Sequence, residues 1–341
     1  MAEKTFVVDM QHHHIPVEAL KLARKTEEYD YTYSIKRFVK AYSLMTDIEV
    51  DLDWMDRAGV EVSILSTAAF VANGYEFCRV CNDGYGRVVK AYPHRYKGMI
   101  HVFPLDDEAK NRDEIKRSVE ELGLWGISVV TSLLDMTIDS PRMDHIYDMA
   151  VQYDMPIFVH PTIRNNIWGG EKYDLFLTAS REYDIAKAFI EIIYGVVPRY
   201  PTLKVIMPHL AGGLPSLYGR LLAKHQPKDF AIPPEDAGQW IPVRRAEEIG
   251  LVAHFKSLLK NFYFDTAGSG GWTPVVKFAI EVLGGNHLCF GTDFPYDLND
   301  PIYVKKYIED IQALEVPNDE KNKLLGGTLR EVFRIPTSAQ P

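Results

Sequence analysis

The chain has 341 residues, of which 46% are hydrophobic and 25% are charged, a composition typical of globular proteins. Its formal net charge of −9 argues against a nucleic-acid-binding surface, and no apolar run reaches the roughly 18 residues that a membrane helix needs. The opening MAEKTFVVD lacks the pattern of a secretion signal, and three cysteines are too few for a disulfide framework. We therefore expect a cytoplasmic protein with no nucleic-acid or membrane partner.

Eight short segments rich in Val, Ile and Phe predict β-strands. In chain order they are TFVVD, VEVSIL, KGMIHVF, WGISVV, PIFVH, LKVIMPH, NFYFDT and HLCFGTD. The stretches between them, such as 108–122 and 142–153, carry apolar residues at helical spacing. Strand–helix alternation repeated eight times predicts a (β/α)8 TIM barrel. An open doubly wound sheet is the alternative, although no glycine-rich loop follows the first strand.

We predict one domain over residues 1–341, because no linker or repeat divides the chain. Residues 17–46, after the first strand, and 226–250, before the seventh, are predicted insertions that distort the barrel. Cys78 and Cys81 have the spacing of a metal or redox pair. They lie in a predicted helix without a second such pair, so we expect buried thiols.

Barrel enzymes carry their chemistry at the carboxyl ends of the strands, and polar residues gather at these positions. They are Asp9, Gln11, His12, His13 and His14 from the first strand, His101 from the third, His160 from the fifth, His209 from the sixth, Asp265 from the seventh and Asp293 from the eighth. Each alone has a structural explanation, such as a core hydrogen bond or a helix cap. Together, imidazoles and carboxylates from several strand ends predict a site for Zn²⁺, Mn²⁺ or Fe²⁺.

In these features the chain resembles the amidohydrolase-related (amidohydrolase 2) group of metal-dependent TIM barrels. That group includes 2-amino-3-carboxymuconate-6-semialdehyde decarboxylase and the resorcylate and dihydroxybenzoate decarboxylases. The resemblance covers about residues 5–333 and includes WMDRAGVEVSILS, YPHRYKGMIHVFPL, ELGLWGISVVTS, MPIFVHP, YPTLKVIMPHLAGGLP and HLCFGTDFPY. It implies one divalent metal ion, zinc in the first instance with manganese or iron as alternatives, and a homodimer.

The resemblance also implies which residues hold the metal. The family uses a His-x-His pair from the first strand, a histidine from the fifth and an aspartate from the eighth. The last two correspond here to His160 and Asp293, and a sixth-strand histidine that serves as acid/base corresponds to His209.

The first strand departs from the family pattern. Aligned on the aspartate and proline that flank the pair, its two positions read Gln11 and His13. Strand alternation agrees, because Asp9, Gln11 and His13 would share one face. His12 and His14 are the alternative pair. An amide oxygen is a poorer zinc ligand than imidazole, so Gln11 predicts weaker binding or a harder ion such as Mn²⁺.

The implied activity is that of a metal-dependent carboxy-lyase, which decarboxylates an aromatic or unsaturated carboxylic acid without oxidation, with His209 and Asp293 as its catalytic residues. A metal-dependent hydrolase of an ester, lactone or amide would use the same constellation and is the alternative. A weakly metallated partner subunit and a dinuclear-iron oxygenase on the same fold are further alternatives. The predicted contacts to the small carboxylate substrate are Arg164, Trp168, Phe294 and Tyr296.

Overall fold

The computed structural model describes residues 5–23, 39–162, 179–225 and 255–336. Strands and helices alternate along it, and each of the eight barrel strands overlaps a predicted segment, although the first begins at Val8 and extends past TFVVD to His13. The strands are β1 (Val8–His13), β2 (Val62–Ser66), β3 (Tyr96–Gly98 and Ile100–His101, on either side of Met99), β4 (Ile127–Val130), β5 (Pro156–His160), β6 (Lys204–Met207), β7 (Phe262–Asp265) and β8 (Leu288–Cys289). A short antiparallel hairpin, Ser132–Leu133 with Met136–Thr137, follows β4.

Helices occupy most of the intervening chain. They are α1 (Val17–Leu20), α2 (Val39–Thr46), α3 (Ile48–Ala58), α4 (Tyr75–Ala91), α5 (Glu108–Glu120), α6 (Asp144–Tyr153), α7 (Ala179–Glu191), α8 (His209–His225), α9 (Phe255–Leu258), α10 (Thr273–Leu283), α11 (Pro301–Gln312), α12 (Asn318–Asn322) and α13 (Thr328–Val332). Side chains of Asp47, Asp107 and Asp300 accept backbone N–H bonds at the starts of α3, α5 and α11, as N-cap residues do. None of these helices is long and apolar enough to cross a membrane.

The structure describes the cysteine pair and part of one of the two predicted insertions. Cys78 and Cys81 lie in α4 as buried free thiols, as expected. The predicted insertion 17–46 contains α1 and α2, with 24–38 outside the described residues, and the predicted insertion 226–250 lies wholly outside them.

Backbone hydrogen bonds join the strands into a barrel. Parallel pairing runs from β1 through β2 to the first segment of β3, and from its second segment through β4, β5, β6 and β7 to β8. The two outer edges are linked because Met10 N donates to Phe290 O at 2.9 Å and His13 N donates to Phe294 O at 2.9 Å. The predicted (β/α)8 barrel is confirmed.

Side chains alternate between the barrel interior and the helix layer. The interior is filled by an apolar cluster from the strands, closed by residues of α13 and the turn after it: Val8, Met10, Ile64, Met99, Phe158, Ile206, Cys289, Leu329, Val332 and Phe333. A larger apolar cluster packs the outer faces of the strands against the helices. Because both faces of the strands pack against apolar residues, the polar side chains of the site lie at the carboxyl ends of the strands.

A β-bulge in β1 decides where its polar residues point. The register against β2 shifts between Asp9 and His12, and the extra residue of a bulge re-aims the side chains that follow it. Asp9 and His12 therefore contact each other on the helix side, whereas Gln11 and His13 point to the barrel mouth. The expectation that Asp9 shares a face with Gln11 and His13 was wrong, because strict alternation fails at the bulge.

Candidate metal and proton-transfer site

Five polar side chains meet at the carboxyl ends of the strands. They are Gln11 and His13 of β1, His160 at the end of β5, His209 at the start of α8 and Asp293 in the loop after β8. His13, His160 and Asp293 are buried, and each offers one ligand atom within 4.8 Å of the others. Within the described part of the chain, no other group of three or more His, Cys, Asp or Glu residues has this arrangement.

Gln11 lies at the centre of the cluster. Its Nε2 donates to Asp293 Oδ1 at 2.8 Å and lies 3.3 Å from His209 Nε2 and 3.5 Å from His160 Nε2. Its Oε1 is buried and has no hydrogen-bond partner among the described residues. An unpaired buried polar atom costs roughly 1–3 kcal/mol. The amide is therefore within reach of the predicted ligands and only half satisfied.

Outer contacts orient the two imidazoles. His160 Nδ1 lies 2.9 Å from the carbonyl oxygen of Pro161, to which it donates, so Nε2 presents a lone pair to the cluster. Burial, reinforced by His13, lowers the pKa of His160 well below its usual range and keeps it neutral. His13 Nδ1 lies 3.3 Å from Ser66 Oγ. Metal-binding histidines have outer hydrogen bonds of this kind.

Asp293 is held as a carboxylate. Its Oδ1 lies 2.9 Å from His13 Nε2, and its Oδ2 lies 3.3 Å from Arg181 Nη1. Burial by itself raises the pKa of Asp293, but the hydrogen bond from His13 and the nearby imidazole and guanidinium groups outweigh it and hold the pKa well below its usual range. An ionised, acceptor-only aspartate is suited to bind a cation and poorly suited to donate a proton.

His209 has the properties of a proton carrier. Its Nδ1 lies 2.8 Å from Glu182 Oε1, and its Nε2 faces Asp293 Oδ2 at 4.0 Å. Burial lowers the pKa of His209, but the hydrogen bond and charge of Glu182 outweigh this effect and raise the pKa above its ordinary value. The ring is buried and oriented, so it can exchange a proton at Nε2.

A left-handed turn presents His209 to the site. Residues 209–213 all have φ between 50° and 87°, which for residues other than glycine costs roughly 1–2 kcal/mol each. Gly212 is needed for space as well, because a Cβ there would lie 2.2 Å from the backbone oxygen of Glu182. Asp265 Oδ1 accepts the His209 N–H at 2.8 Å and the Ala267 N–H at 3.1 Å, which anchors the turn to the end of β7.

Sequence reasoning missed Arg181, Glu182 and Asp297. Arg181 Nη2 lies 3.7 Å from Asp297 Oδ2, and its Nη1 contacts Asp293. Arg181 and Glu182 lie in the first turn of α7 rather than at a strand end, where barrel enzymes carry most of their catalytic residues. In sequence they resemble any surface pair of opposite charges, so no pattern singled them out.

His12 and His14 point away from the cluster. His12 Nδ1 lies 3.0 Å from Asp9 Oδ2, and its Nε2 lies 2.8 Å from Asp51 Oδ1. His14 is buried near the Tyr85 ring, at a centroid distance of 6.1 Å. The structure therefore does not bring the alternative first-strand pair to His160 and Asp293.

The predicted substrate contacts lie in different environments. Phe294 is fully buried and stacks on His12 with ring centroids 4.3 Å apart, so it would have to move to touch a substrate. Tyr296 is half-buried, with its ring 5.4 Å from that of His13. Arg164 and Trp168 lie outside the described residues.

Comparison with known proteins gives a consistent result. The 2-amino-3-carboxymuconate-6-semialdehyde decarboxylase of Dictyostelium discoideum is 26% identical over 298 residues, covering 85% of this chain and 77% of the relative. The gamma-resorcylate decarboxylase of Polaromonas sp. is 24% identical over 301 residues, covering 82% and 85%.

Solved structures and family models extend this likeness over the whole barrel. A 5-carboxyvanillate decarboxylase from Novosphingobium aromaticivorans, complexed with manganese and 4-hydroxy-3-methoxy-5-nitrobenzoic acid, shares the fold. Its TM-score is 0.82 at 20% identity, covering 97% of this chain and 96% of that one. The amidohydrolase family model matches residues 8–335. The chain thus has a barrel whose carboxyl-terminal end carries polar residues that could bind a metal ion, and it belongs to the amidohydrolase family.

Proposed function

We propose that the protein is a metal-dependent carboxy-lyase that removes carbon dioxide from an aromatic or unsaturated carboxylic acid. The observation that carries the metal dependence in this proposal is the buried cluster itself. Three residues with convergent ligand atoms, His13, His160 and Asp293, lie beside His209, whose outer nitrogen is held by Glu182. The decarboxylases among the relatives support the same reaction class.

The cluster fits one divalent cation. Two imidazoles and a carboxylate are donors that suit Zn²⁺, Mn²⁺ and Fe²⁺. The Gln11 amide faces the cluster through Nε2, and half a turn of its terminal torsion would present the unpaired Oε1 as a fourth donor. We assign Gln11, His13, His160 and Asp293 as the residues that hold the ion. When bound, such an ion supplies Lewis-acid polarisation of a substrate oxygen.

His209 provides the proton in this proposal. Decarboxylation breaks a carbon–carbon bond, and the carbon that loses carbon dioxide must gain a hydrogen. His209 Nε2 faces the cluster at 3.3 Å from Gln11 Nε2, while Glu182 keeps the ring oriented and favours its protonated form. A positioned acid of this kind contributes roughly 10²- to 10⁴-fold in rate.

Asp293 and the mouth residues have supporting roles. Asp293, held ionised by His13 and Arg181, helps to hold the cation and keeps its negative charge near the protonated face of His209. Tyr296, beside His13, and Arg164 and Trp168 are the proposed contacts to a planar anionic substrate.

The proposal is tested by product analysis in D₂O. The purified protein is incubated with hydroxybenzoic acids and unsaturated carboxylic acids, and released carbon dioxide and deuterium in the product are measured. We expect release with one deuterium at the vacated carbon. His209→Gln is expected to lower the rate by about 10² or more. Replacement of His94, an exposed histidine on the loop before β3, by glutamine is the matched control and is expected to leave the rate unchanged.

Hydrolysis of an ester, lactone or amide without carbon dioxide release would replace the proposal with the hydrolase. A folded chain that holds little or no metal and turns over neither class of substrate would favour the partner subunit. The dinuclear oxygenase requires a second metal near His12 and His14, and these residues contact Asp9, Asp51 and the Tyr85 ring instead.

A further inference from the structure

Gln11 has one buried side-chain atom, Oε1, that makes no hydrogen bond to the described residues. The side chain is fully buried, and its backbone carbonyl accepts the Phe294 N–H at 3.2 Å, which fixes the chain at this point. The amide nitrogen donates to Asp293 Oδ1 at 2.8 Å, while Oε1 has no partner among the described residues. Gln11 therefore has little room to swing away, but its terminal amide torsion is soft and roughly two-fold.

Rotation of the amide by half a turn exchanges its oxygen and nitrogen within nearly the same volume. The oxygen would then face Asp293 Oδ1 and the Nε2 lone pair of His160, an arrangement of acceptors alone. Such an arrangement is unfavourable unless a cation lies between the acceptors. The two amide orientations of Gln11 thus match two states of the site, one closed by an N–H donor and one open to a metal ion.

We propose that Gln11 sets the metal preference of the site. Its amide oxygen turns toward the bound ion and lowers the ratio of zinc affinity to manganese affinity. This inference rests on the metal site of the proposed function. Sites built from nitrogen and oxygen donors ordinarily bind Zn²⁺ more tightly than Mn²⁺. Imidazole favours zinc, whereas carbonyl and carboxylate oxygens suit manganese and magnesium. With Gln11, the donor set becomes two imidazoles and two oxygens, of which only Asp293 is charged.

Binding measurements on metal-free protein test this assignment. Wild type, Gln11→His and Gln11→Met are stripped with a chelator, and Mn²⁺ and Zn²⁺ affinities are determined separately by competition with a chromophoric chelator. Gln11→His is expected to raise the ratio of zinc to manganese affinity by roughly tenfold or more, the scale on which single changes around a metal act. Gln11→Met has similar length and no strong donor, so it is expected to weaken both ions.

Controls separate a ligand effect from misfolding. Gln152 is exposed on α6, and Gln152→His makes the same chemical change away from the site, so it is expected to leave the affinity ratio as in wild type. Circular dichroism of each metal-free variant checks that the barrel has formed. Wild-type affinity for both ions in a folded Gln11→Met, or an unchanged ratio in a folded Gln11→His, would overturn the assignment.

These readouts do not depend on catalysis. A chain with the expected change in metal preference but no carbon dioxide release would contradict the decarboxylase and support the role of Gln11. Carbon dioxide release combined with an unchanged ratio would overturn the role of Gln11 alone.

Discussion

His12 and Asp51 form a buried ion pair, with Nε2 and Oδ1 2.8 Å apart. The other ring nitrogen lies 3.0 Å from Asp9, so both nitrogens donate and the ring is an imidazolium. Burial lowers the pKa of His12, but Asp51 and Asp9 outweigh it and raise the pKa to about 9. Asp9 also accepts the N–H and the hydroxyl of Thr292, at 2.9 and 2.6 Å. This network joins the bulge of β1 to the residue that precedes Asp293.

Removal of the imidazolium is expected to destabilise the fold. In His12→Gln two buried carboxylates lose their shared cation, and breaking a buried pair in this way typically costs about 3–5 kcal/mol. The free energy of unfolding in urea measures the effect. Asp53 lies on the same helix and its side chain is 69% exposed. Asp53→Asn is therefore the matched control, with an expected change within about 0.5 kcal/mol.

The stabilisation by His12 also has a defined pH dependence. The folded-state pKa of about 9 lies above the ordinary value of 6.5, so the imidazolium stabilises the fold fully below pH 6.5. This stabilisation is lost as the pH rises from 6.5 through about 9. The difference in unfolding free energy between wild type and His12→Gln should therefore shrink over that interval. A difference that stays constant from pH 6.5 to 9 would show that the ring is neutral in the folded protein.

Glu182 is expected to set the alkaline limit of activity through His209. Since Glu182 raises the pKa of His209, Glu182→Gln should lower it. If His209 donates the proton, activity falls as the pH rises through the pKa of His209. The alkaline limb of the plot of kcat against pH should therefore move to lower pH in Glu182→Gln. Glu191→Gln, a change on the same helix at a carboxylate paired with Lys187, should leave the limb in place. A limb unmoved in Glu182→Gln would remove His209 from the role of acid.

Gly268 and Gly270 offer a matched pair for testing the position of the His209 ring. Both have left-handed φ, at 72° and 59°, and both lie in the loop between β7 and α10. A Cβ on Gly268 would lie 2.7 Å from His209 Cγ, whereas one on Gly270 would meet nothing within 4 Å. Alanine at either site has the same backbone cost, so only Gly268→Ala should displace the ring. We expect at least about a tenfold larger loss of kcat in Gly268→Ala, because small misplacements of catalytic groups are costly. Equal losses would show that backbone strain alone accounts for both.

The sequence predicts the strands well because the signal is local. A run of β-branched and aromatic residues, in most cases preceded by a turn or loop signal, predicts each strand, and a histidine or aspartate at the end of several strands indicates the mouth of the barrel. His160, His209 and Asp293 were found in this way and lie together in the structure. The resemblance to the family predicted His13, paired with Gln11, as a first-strand ligand. His13 lies beside His160 and Asp293 in the structure.

The remaining parts of the site depend on three-dimensional contacts that a linear pattern does not encode. The bulge in β1 separates Asp9 from Gln11 and His13, although strict alternation places all three on one face. Glu182 reaches His209 from the first turn of a helix, and Phe294 packs on His12 rather than lining the mouth. Each of these outcomes follows from how neighbouring elements pack.

We propose that His13, His160 and Asp293 hold one divalent ion, and the other roles in the site depend on this assignment. Elemental analysis of protein purified without added metal or chelator tests it most directly, on wild type, His160→Asn, Asp293→Asn and the surface control His94→Gln. We expect one zinc, manganese or iron ion per chain in wild type and His94→Gln, and almost none in the two site variants. Equal metal content in all four proteins, or a folded wild type without metal that is active, would contradict it.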